Sequence, residues 1–299
     1  MNVRRVLGGV GRVMIATGVL ILLFVAYQLW GTGLRTAQAQ NDLEAQFEEQ
    51  AEAYAAENPE PAEPDPAEPA DPPTDTVIPP PPTTSEIVGR IEIPSIGENW
   101  MFLQGVGLDV LKDGPGHYEG TPLPGEEGNA AIAGHRTTYG QPFHNIDQLG
   151  PGDRIIVTYI TGARFEYEYR ETEIVSPDRV DVIENTEDDR LTLTACHPKY
   201  SAAERIVVRA ALVGQPLPPQ PVQDTGEPVV LQAESLDGEA ADRLPAFLWG
   251  FAAAAVFGLA WAVGHWWRKL PAYLIGTPVF LVVLFVFFEN FSRLLPAAY

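Results

Sequence analysis

Three uncharged apolar runs sit near the two ends of this chain, and they restrict everything between them to one side of a membrane. The first lies between Arg12 and Trp30, and the other two are Leu244 to Trp267 and Ala272 to Phe288. At about 1.5 Å per residue, each is long enough as a helix to cross a hydrocarbon core of about 30 Å. Only Arg268, Lys269, Leu270 and Pro271 separate the last two, which therefore read as a helical hairpin. Arg4, Arg5 and Arg12 precede the first run and Arg268-Lys269 lie in the hairpin loop, so both cationic ends are expected in the cytoplasm. The segment from about Leu34 to Arg243 is then expected outside the cell, held at the cell membrane. Ala37-Gln38-Ala39 has the A-x-A form of a signal-peptide cleavage site, so cleavage there is the alternative to a permanent N-terminal anchor.

The formal net charge of −21 is carried largely by the segment after the first run. No Lys or Arg occurs between Arg35 and Arg90, while carboxylates recur from Asp42 to Glu86. Such an excess argues against nucleic acid or an anionic bilayer surface as a partner. Asn41 to Ala56 reads as a frayed acidic helix. Pro59 to Pro82, with its Glu-Pro and Asp-Pro repeats, reads as an extended polyproline II spacer rising about 3.1 Å per residue.

From Ile87 to about Gly214 the pattern changes to short strands separated by turn residues. Ile87 to Ile93 alternates, Arg154 to Ile160 is rich in β-branched residues, and Phe165, Tyr167 and Tyr169 alternate with charged neighbours. Further strands are expected over Asn129 to His135, Leu191 to Ala195 and Arg205 to Val213. Pro122-Leu123-Pro124-Gly125 and Gly150-Pro151-Gly152-Asp153 mark turns. These signals predict one all-β barrel or sandwich, large enough to bury its own core. The chain divides accordingly into an N-terminal membrane helix (1–33), an acidic Pro-rich linker (34–86), a β domain (87–214), a second linker (215–243), a transmembrane hairpin (244–291) and a short tail (292–299).

Cys196 is the one cysteine of the chain, so no internal disulfide is available to it. A lone thiol is often a buried inert side chain; here its neighbours point to a nucleophile. In an extended Leu191 to Cys196, the side chains of Leu191, Leu193 and Ala195 share one face and those of Thr192, Thr194 and Cys196 the other. From Arg205 to Ala210, Ile206, Val208 and Ala210 share a face that Arg205 does not. An antiparallel pairing with both apolar faces on a common core makes Cys196 and Arg205 neighbours at the mouth of their connecting loop. Of the histidines at 117, 135, 144, 197 and 265, His265 lies in a membrane run and His197 is expected on the opposite side of its strand from Cys196. His135 closes a predicted strand, where a barrel rim displays a side chain. No paired Cys or His spacing suggests a metal, no glycine pattern suggests a nucleotide, and no cofactor is expected.

Several ordered motifs resemble the sortases, the transpeptidases that anchor surface proteins to Gram-positive cell walls. They are Gly114-Pro115-Gly116-His117-Tyr118, Pro124-Gly125-Glu126-Glu127-Gly128-Asn129, Ala133-Gly134-His135-Arg136-Thr137-Thr138-Tyr139-Gly140, Thr192-Leu193-Thr194-Ala195-Cys196 and Arg205-Ile206-Val207-Val208. Gly-His-Arg-Thr-Thr-Tyr-Gly and the His-Pro after the cysteine are most similar to class E enzymes of actinobacteria. The resemblance implies a closed barrel of about eight strands. It also implies Cys196 as nucleophile, His135 as general acid and base, and Arg205 as stabiliser of the oxyanion or substrate. Tyr118 matches a tyrosine that class E members associate with accepting Ala in place of Pro in the sorting signal, its alternative being barrel packing. Thr194 is a second candidate for contact with the peptide. Ala195 departs from the family's usual Thr before the cysteine and lacks that residue's hydroxyl.

The implied reaction is acyl transfer. The thiolate attacks the Thr carbonyl of an LAXTG-like or LPXTG-like signal on a surface protein, glycine leaves, and a peptidoglycan precursor amine resolves the thioacyl enzyme. A membrane-tethered cysteine peptidase would use the same pair with water as acceptor. A non-catalytic barrel scaffold is the third alternative.

Overall fold

Alternating apolar residues create the strands, and the sheet they form closes on itself. The computed structural model describes residues 3–58, 77–80, 82–218, 243–266 and 269–292. Most of Pro59 to Pro82 and most of the second linker lie outside the described residues. The strands are β1 (Ile87–Ile93), β2 (Glu98–Gln104), β3 (Gly116–His117), β4 (Asn129–Ala133), β5 (Arg154–Thr158), β6 (Arg164–Val175), β7 (Arg190–His197) and β8 (Glu204–Val213). They form a closed barrel in the order β1-β2-β3-β4-β7-β8-β6-β5. The β2–β3 and β4–β7 pairs are parallel and the others antiparallel.

Leu191, Leu193 and Ala195 of β7 and Ile206, Val208 and Ala210 of β8 enter the barrel core with Ile132, Phe102, Val157 and Tyr167. Tyr phenols at the edge of this core are satisfied. Tyr159 donates to the Pro124 carbonyl at 2.7 Å, and the Tyr167 oxygen accepts from the Gly125 N–H at 2.7 Å. Gly125 has φ 102°, and a Cβ there would lie 2.5 Å from the Phe165 ring, so this turn excludes any side chain.

Strands β2 and β3 have weak sequence signatures. The β2 sequence Glu98-Asn99-Trp100-Met101-Phe102-Leu103-Gln104 does not alternate, and four consecutive residues from Met101 are buried. Beyond the predicted barrel boundary, Leu217 donates its N–H to the Gly125 carbonyl at 2.8 Å and accepts from Glu127 at 3.0 Å. Its side chain packs against the core, so residues 215–218 belong to the barrel rather than to a linker.

The first linker is also more structured than its composition suggests. The helix α2 (Thr32–Glu57) forms one unit with the barrel from Gly33 onward. Gln40 supplies the reason. Its Nε2 donates to the carbonyls of Met101 (3.0 Å) and Asp113 (2.8 Å), and its Oε1 accepts from the Met101 N–H (2.8 Å). One amide thus satisfies both backbone groups of Met101, as a neighbouring strand would. Thr36 donates to the Lys112 carbonyl (2.7 Å), Glu44 pairs with Arg90 (3.0 Å), and Arg90 covers the Phe47 ring at 5.4 Å. Residues 36, 40, 44 and 47 recur at three- and four-residue steps and so share one helix face. A Cβ at Gly114 would lie 2.5 Å from Gln40 Nε2 and 2.8 Å from the Met101 carbonyl, so glycine is required where the helix docks. A short helix, α3 (Leu108–Leu111), follows β2.

The other unit comprises α1 (Val3–Ala26), a π-helical turn at Tyr27–Gly31, α4 (Leu244–Trp266) and α5 (Lys269–Ser292). Three helices in it are long and apolar enough to cross a membrane, and most of their large apolar side chains face outward. Small residues bring α4 and α5 together: a Cβ at Gly264 would meet Tyr273 at 3.2 Å, and one at Gly276 would meet Ala260 at 2.7 Å. Phe24 packs on Phe288 and Phe291 with ring centroids 5.1 and 5.4 Å apart, and Tyr27 packs on Phe285 at 5.1 Å. The C-terminal ends of α1 and α5 therefore meet.

Candidate active site

Four adjacent strands bring the candidate residues to one patch of the outer barrel face. In the β7–β8 register Cys196 lies directly opposite Arg205. In the parallel β4–β7 register Ala133 lies opposite Thr194, and the Gly134 N–H donates to the Thr194 carbonyl at 3.0 Å. His135 stands two residues beyond Ala133, as Cys196 stands two beyond Thr194, so both occupy the same end of the β4–β7 ladder. Tyr118 follows β3, where its N–H donates to the Ala131 carbonyl at 2.9 Å. Its phenol pairs with the Thr194 hydroxyl at 3.0 Å.

The electrostatic couplings follow this arrangement. Burial is the main cause that pushes the Tyr118 phenol up to about 12; the Thr194 hydrogen bond and the Arg205 charge lower it, and Cys196 raises it. Tyr118 therefore stays protonated at neutral pH. The Arg205 Nη1 donates to the carbonyls of Ala202 (3.1 Å) and Glu204 (2.9 Å), which fixes the guanidinium at the mouth of the β7–β8 loop.

A tight loop carries His135. The Thr138 hydroxyl lies 3.3 Å from His135 Nδ1, and the Tyr139 ring tilts over the imidazole at a centroid distance of 4.9 Å. Tyr139, Gly140 and Gln141 take successive φ values of 48°, 74° and 52°. This left-handed stretch reverses the chain, and the Phe143 N–H returns to the His135 carbonyl at 3.1 Å. A Cβ at Gly140 would lie 2.5 Å from Trp100 and 3.1 Å from Thr36, so this loop is pressed between β2 and α2.

The site is more enclosed than the strand-end reading suggests. Cys196 is 2% exposed, His135 4% and Arg205 1%. Cys196 nevertheless stands apart from the cluster of side chains that fills the barrel, on the face it shares with Thr192 and Thr194. Its burial is thus cover over the outer face. Water exclusion at such a place strengthens every charge interaction within it. The other histidines are placed elsewhere. His117 bonds Gln104 and the Pro122 carbonyl, each at 2.9 Å, and burial lowers it to about 4. His265 stacks on Trp261 within α4. His197 and His144 both contact Arg136, a buried residue whose importance sequence reasoning missed although its motif was in view. Among the described residues no group of three or more His, Cys, Asp and Glu side chains is placed to hold a metal.

Comparison with known proteins agrees with this architecture. The Sortase domain family matches residues 91–213. The chain is 31% identical over 217 residues to Sortase SrtE1 of Streptomyces coelicolor, covering 68% of this chain and 56% of that protein. It is 25% identical to Sortase SrtE2 of the same organism, covering 68% of this chain and 80% of that one. The chain thus spans just over half the length of SrtE1. Among solved structures, the sortase C of Clostridium perfringens, determined with the C-terminal cell wall sorting motif, is 31% identical over 44% of this chain and 73% of that one, with a TM-score of 0.42. The domain match and the two SrtE relatives, together with the closed eight-stranded barrel, make this chain a member of the sortase family, most like class E.

Proposed function

We propose that this protein is a membrane-anchored sortase that cleaves a sorting signal and transfers the acyl fragment to a cell-wall amine. The observation that carries the reading is the direct pairing of Cys196 with Arg205 in the β7–β8 register, with His135 at the same end of the neighbouring β4–β7 ladder.

In the proposed reaction Cys196 loses its proton to His135, and the thiolate attacks the Thr carbonyl of an LAXTG-like or LPXTG-like peptide. Charge develops on the carbonyl oxygen, where the Arg205 guanidinium offers hydrogen-bond donors. Collapse of the tetrahedral adduct breaks the Thr–Gly bond. His135 protonates the departing glycine amine, leaving a thioester on Cys196. An incoming peptidoglycan precursor amine then attacks the thioester and gives its proton to His135, the new amide forms as the C–S bond breaks, and the departing Cys196 thiolate takes that proton back from His135. In this reading Tyr118 and Thr194, linked by their hydroxyls beside Cys196, contact the signal residues before the scissile bond.

The charge pattern around the apolar runs supports an extracellular barrel. Arg4, Arg5 and Arg12 precede the first apolar run and Arg268-Lys269 lie in the hairpin loop, so the positive-inside rule assigns both to the cytoplasm and the residues between about Leu34 and Arg243 to the outside.

The test is cleavage of a fluorogenic sorting peptide by the detergent-solubilised chain, with and without an amine acceptor. A transpeptidase yields the amide product, a peptidase ignores the acceptor, and a scaffold leaves the peptide intact. Cys196→Ala is expected to abolish both products with the circular dichroism spectrum unchanged. Normal turnover in that variant would overturn the assignment of the nucleophile.

A further inference from the structure

We propose that Arg136 is a positioning residue that braces the His135 segment against the Cys196 strand end. The inference rests on the reading of Cys196 and His135 as the reacting pair. Arg136 follows His135 in sequence, yet its guanidinium reaches across to β7. Its Nη1 donates to the Cys196 carbonyl at 3.2 Å and lies 3.3 Å from His197 Nδ1. Nε donates to the His144 carbonyl at 3.3 Å, and Nη2 pairs with Asp147 at 2.9 Å. In return, His144 Nδ1 lies 2.8 Å from the Arg136 carbonyl, which closes the loop from 136 to 144. Asp147 also faces Lys199 Nζ at 3.8 Å, and Lys199 reaches Asn145 at 3.4 Å, so the loop after Cys196 is tied to the same cluster.

The side chain that makes these contacts is 1% exposed. A buried guanidinium costs free energy unless its charge and donors are satisfied, and here one carboxylate, two carbonyls and an imidazole satisfy them. Only the flat fork of arginine addresses partners in several directions at once; a lysine ammonium is a single point. The brace thus spans from the residue after the proposed base to the backbone of the proposed nucleophile. It touches neither reacting side chain in these contacts, so its effect is on their separation. Misplacement of reacting groups by about 1 Å lowers rates by about 10²-fold.

The experiment compares Arg136→Met, Arg136→Lys and Asp147→Asn in the full detergent-solubilised chain. For Arg136→Met, kcat for the sorting peptide is expected to fall about 10²-fold with KM within about twofold. Arg136→Lys is expected to restore roughly a tenfold part of that loss, and Asp147→Asn to lower kcat by about 3- to 10-fold. Circular dichroism and thermal unfolding report the fold of each. Wild-type kcat in folded Arg136→Met would overturn the proposal. Should that variant not fold, Asp147→Asn decides, because position 147 is 42% exposed and asparagine keeps an oxygen for the Arg136 donors. Reduced kcat at an unchanged melting temperature supports the brace, and full kcat overturns it. Alkylation of Cys196 by iodoacetamide gives a reading independent of peptide turnover. If the native chain cleaves no sorting peptide, the proposed function fails, while slower alkylation in Arg136→Met still supports the brace and equal rates overturn it.

Discussion

The β7–β8 hairpin and helix α2 are both joined to the barrel, one by what its side chains bury and the other by what they hydrogen-bond. On the hairpin, Leu191, Leu193 and Ala195 interleave with Ile206, Val208 and Ala210 inside the core. On the helix, Thr36, Gln40 and Glu44 reach backbone groups and an arginine of the barrel. Apolar contact is non-directional and roughly additive in area, so it leaves a regular imprint along the chain. A polar dock depends on a few aligned atoms, and two strand groups matched by one glutamine leave no periodic trace. The difference predicts distinct responses to substitution.

The hairpin should show the largest loss. Leu193 is fully buried, and truncation to alanine removes its transfer free energy and leaves a cavity. Leu193→Ala is expected to destabilise the barrel by about 2–5 kcal/mol in equilibrium denaturation. A loss below that of Gln40→Ala on α2 would show that burial is not what distinguishes the two regions.

What was legible in the sequence follows the same division. The pairing of Cys196 with Arg205 could be read because period-two alternation fixes parity on both strands, and a one-residue slip would expose every core side chain. The eight-stranded closure came from resemblance to a family, since alternation alone left barrel and sandwich open. Strand β3 is only Gly116 and His117, too short for any pattern. The docking of α2 was hidden because Gln40 falls just before the carboxylates that begin at Asp42, in a segment whose composition reads as an acidic spacer. Enclosure of Cys196 was hidden for a related reason: the side chains around it, Tyr118 and Arg205, come from other strands, and a buried arginine looks like an exposed one in sequence. Arg136 shared that ambiguity.

A polar group buried in the barrel makes its own prediction with pH. His117, at the end of β3, is held neutral by burial, its value lowered from 6.5 to about 4. In the unfolded chain it takes up a proton near 6.5, whereas the folded protein resists protonation until about 4. Between these values the unfolded state binds more protons, so stability rises with pH across this window. The contribution is complete above about pH 6.5 and is lost as pH falls through about 4. Its size is at most about 3 kcal/mol. His117→Gln is expected to flatten the stability profile between those limits relative to the native chain, and an unchanged slope would refute a neutral buried imidazole.

The smallest effects lie on α2, where a pair of substitutions separates hydrogen bonding from charge. Gln40→Ala removes the amide that satisfies Met101 and Asp113, leaving backbone groups of an edge position without their partner. The expected cost is about 1–3 kcal/mol in equilibrium denaturation, the penalty for an unsatisfied half-buried group. Glu44→Gln removes only the ion pair with Arg90, in which the carboxylate is 49% exposed and screened by solvent. Its cost is expected to be under about 1 kcal/mol, and Arg90 keeps its place over the Phe47 ring. The ordering Gln40 above Glu44 is what a strand-like amide bridge demands. If Glu44→Gln cost more, the helix would be held by charge, its contact would weaken steeply with salt, and the acidic composition that read as a spacer would instead be the reason for docking.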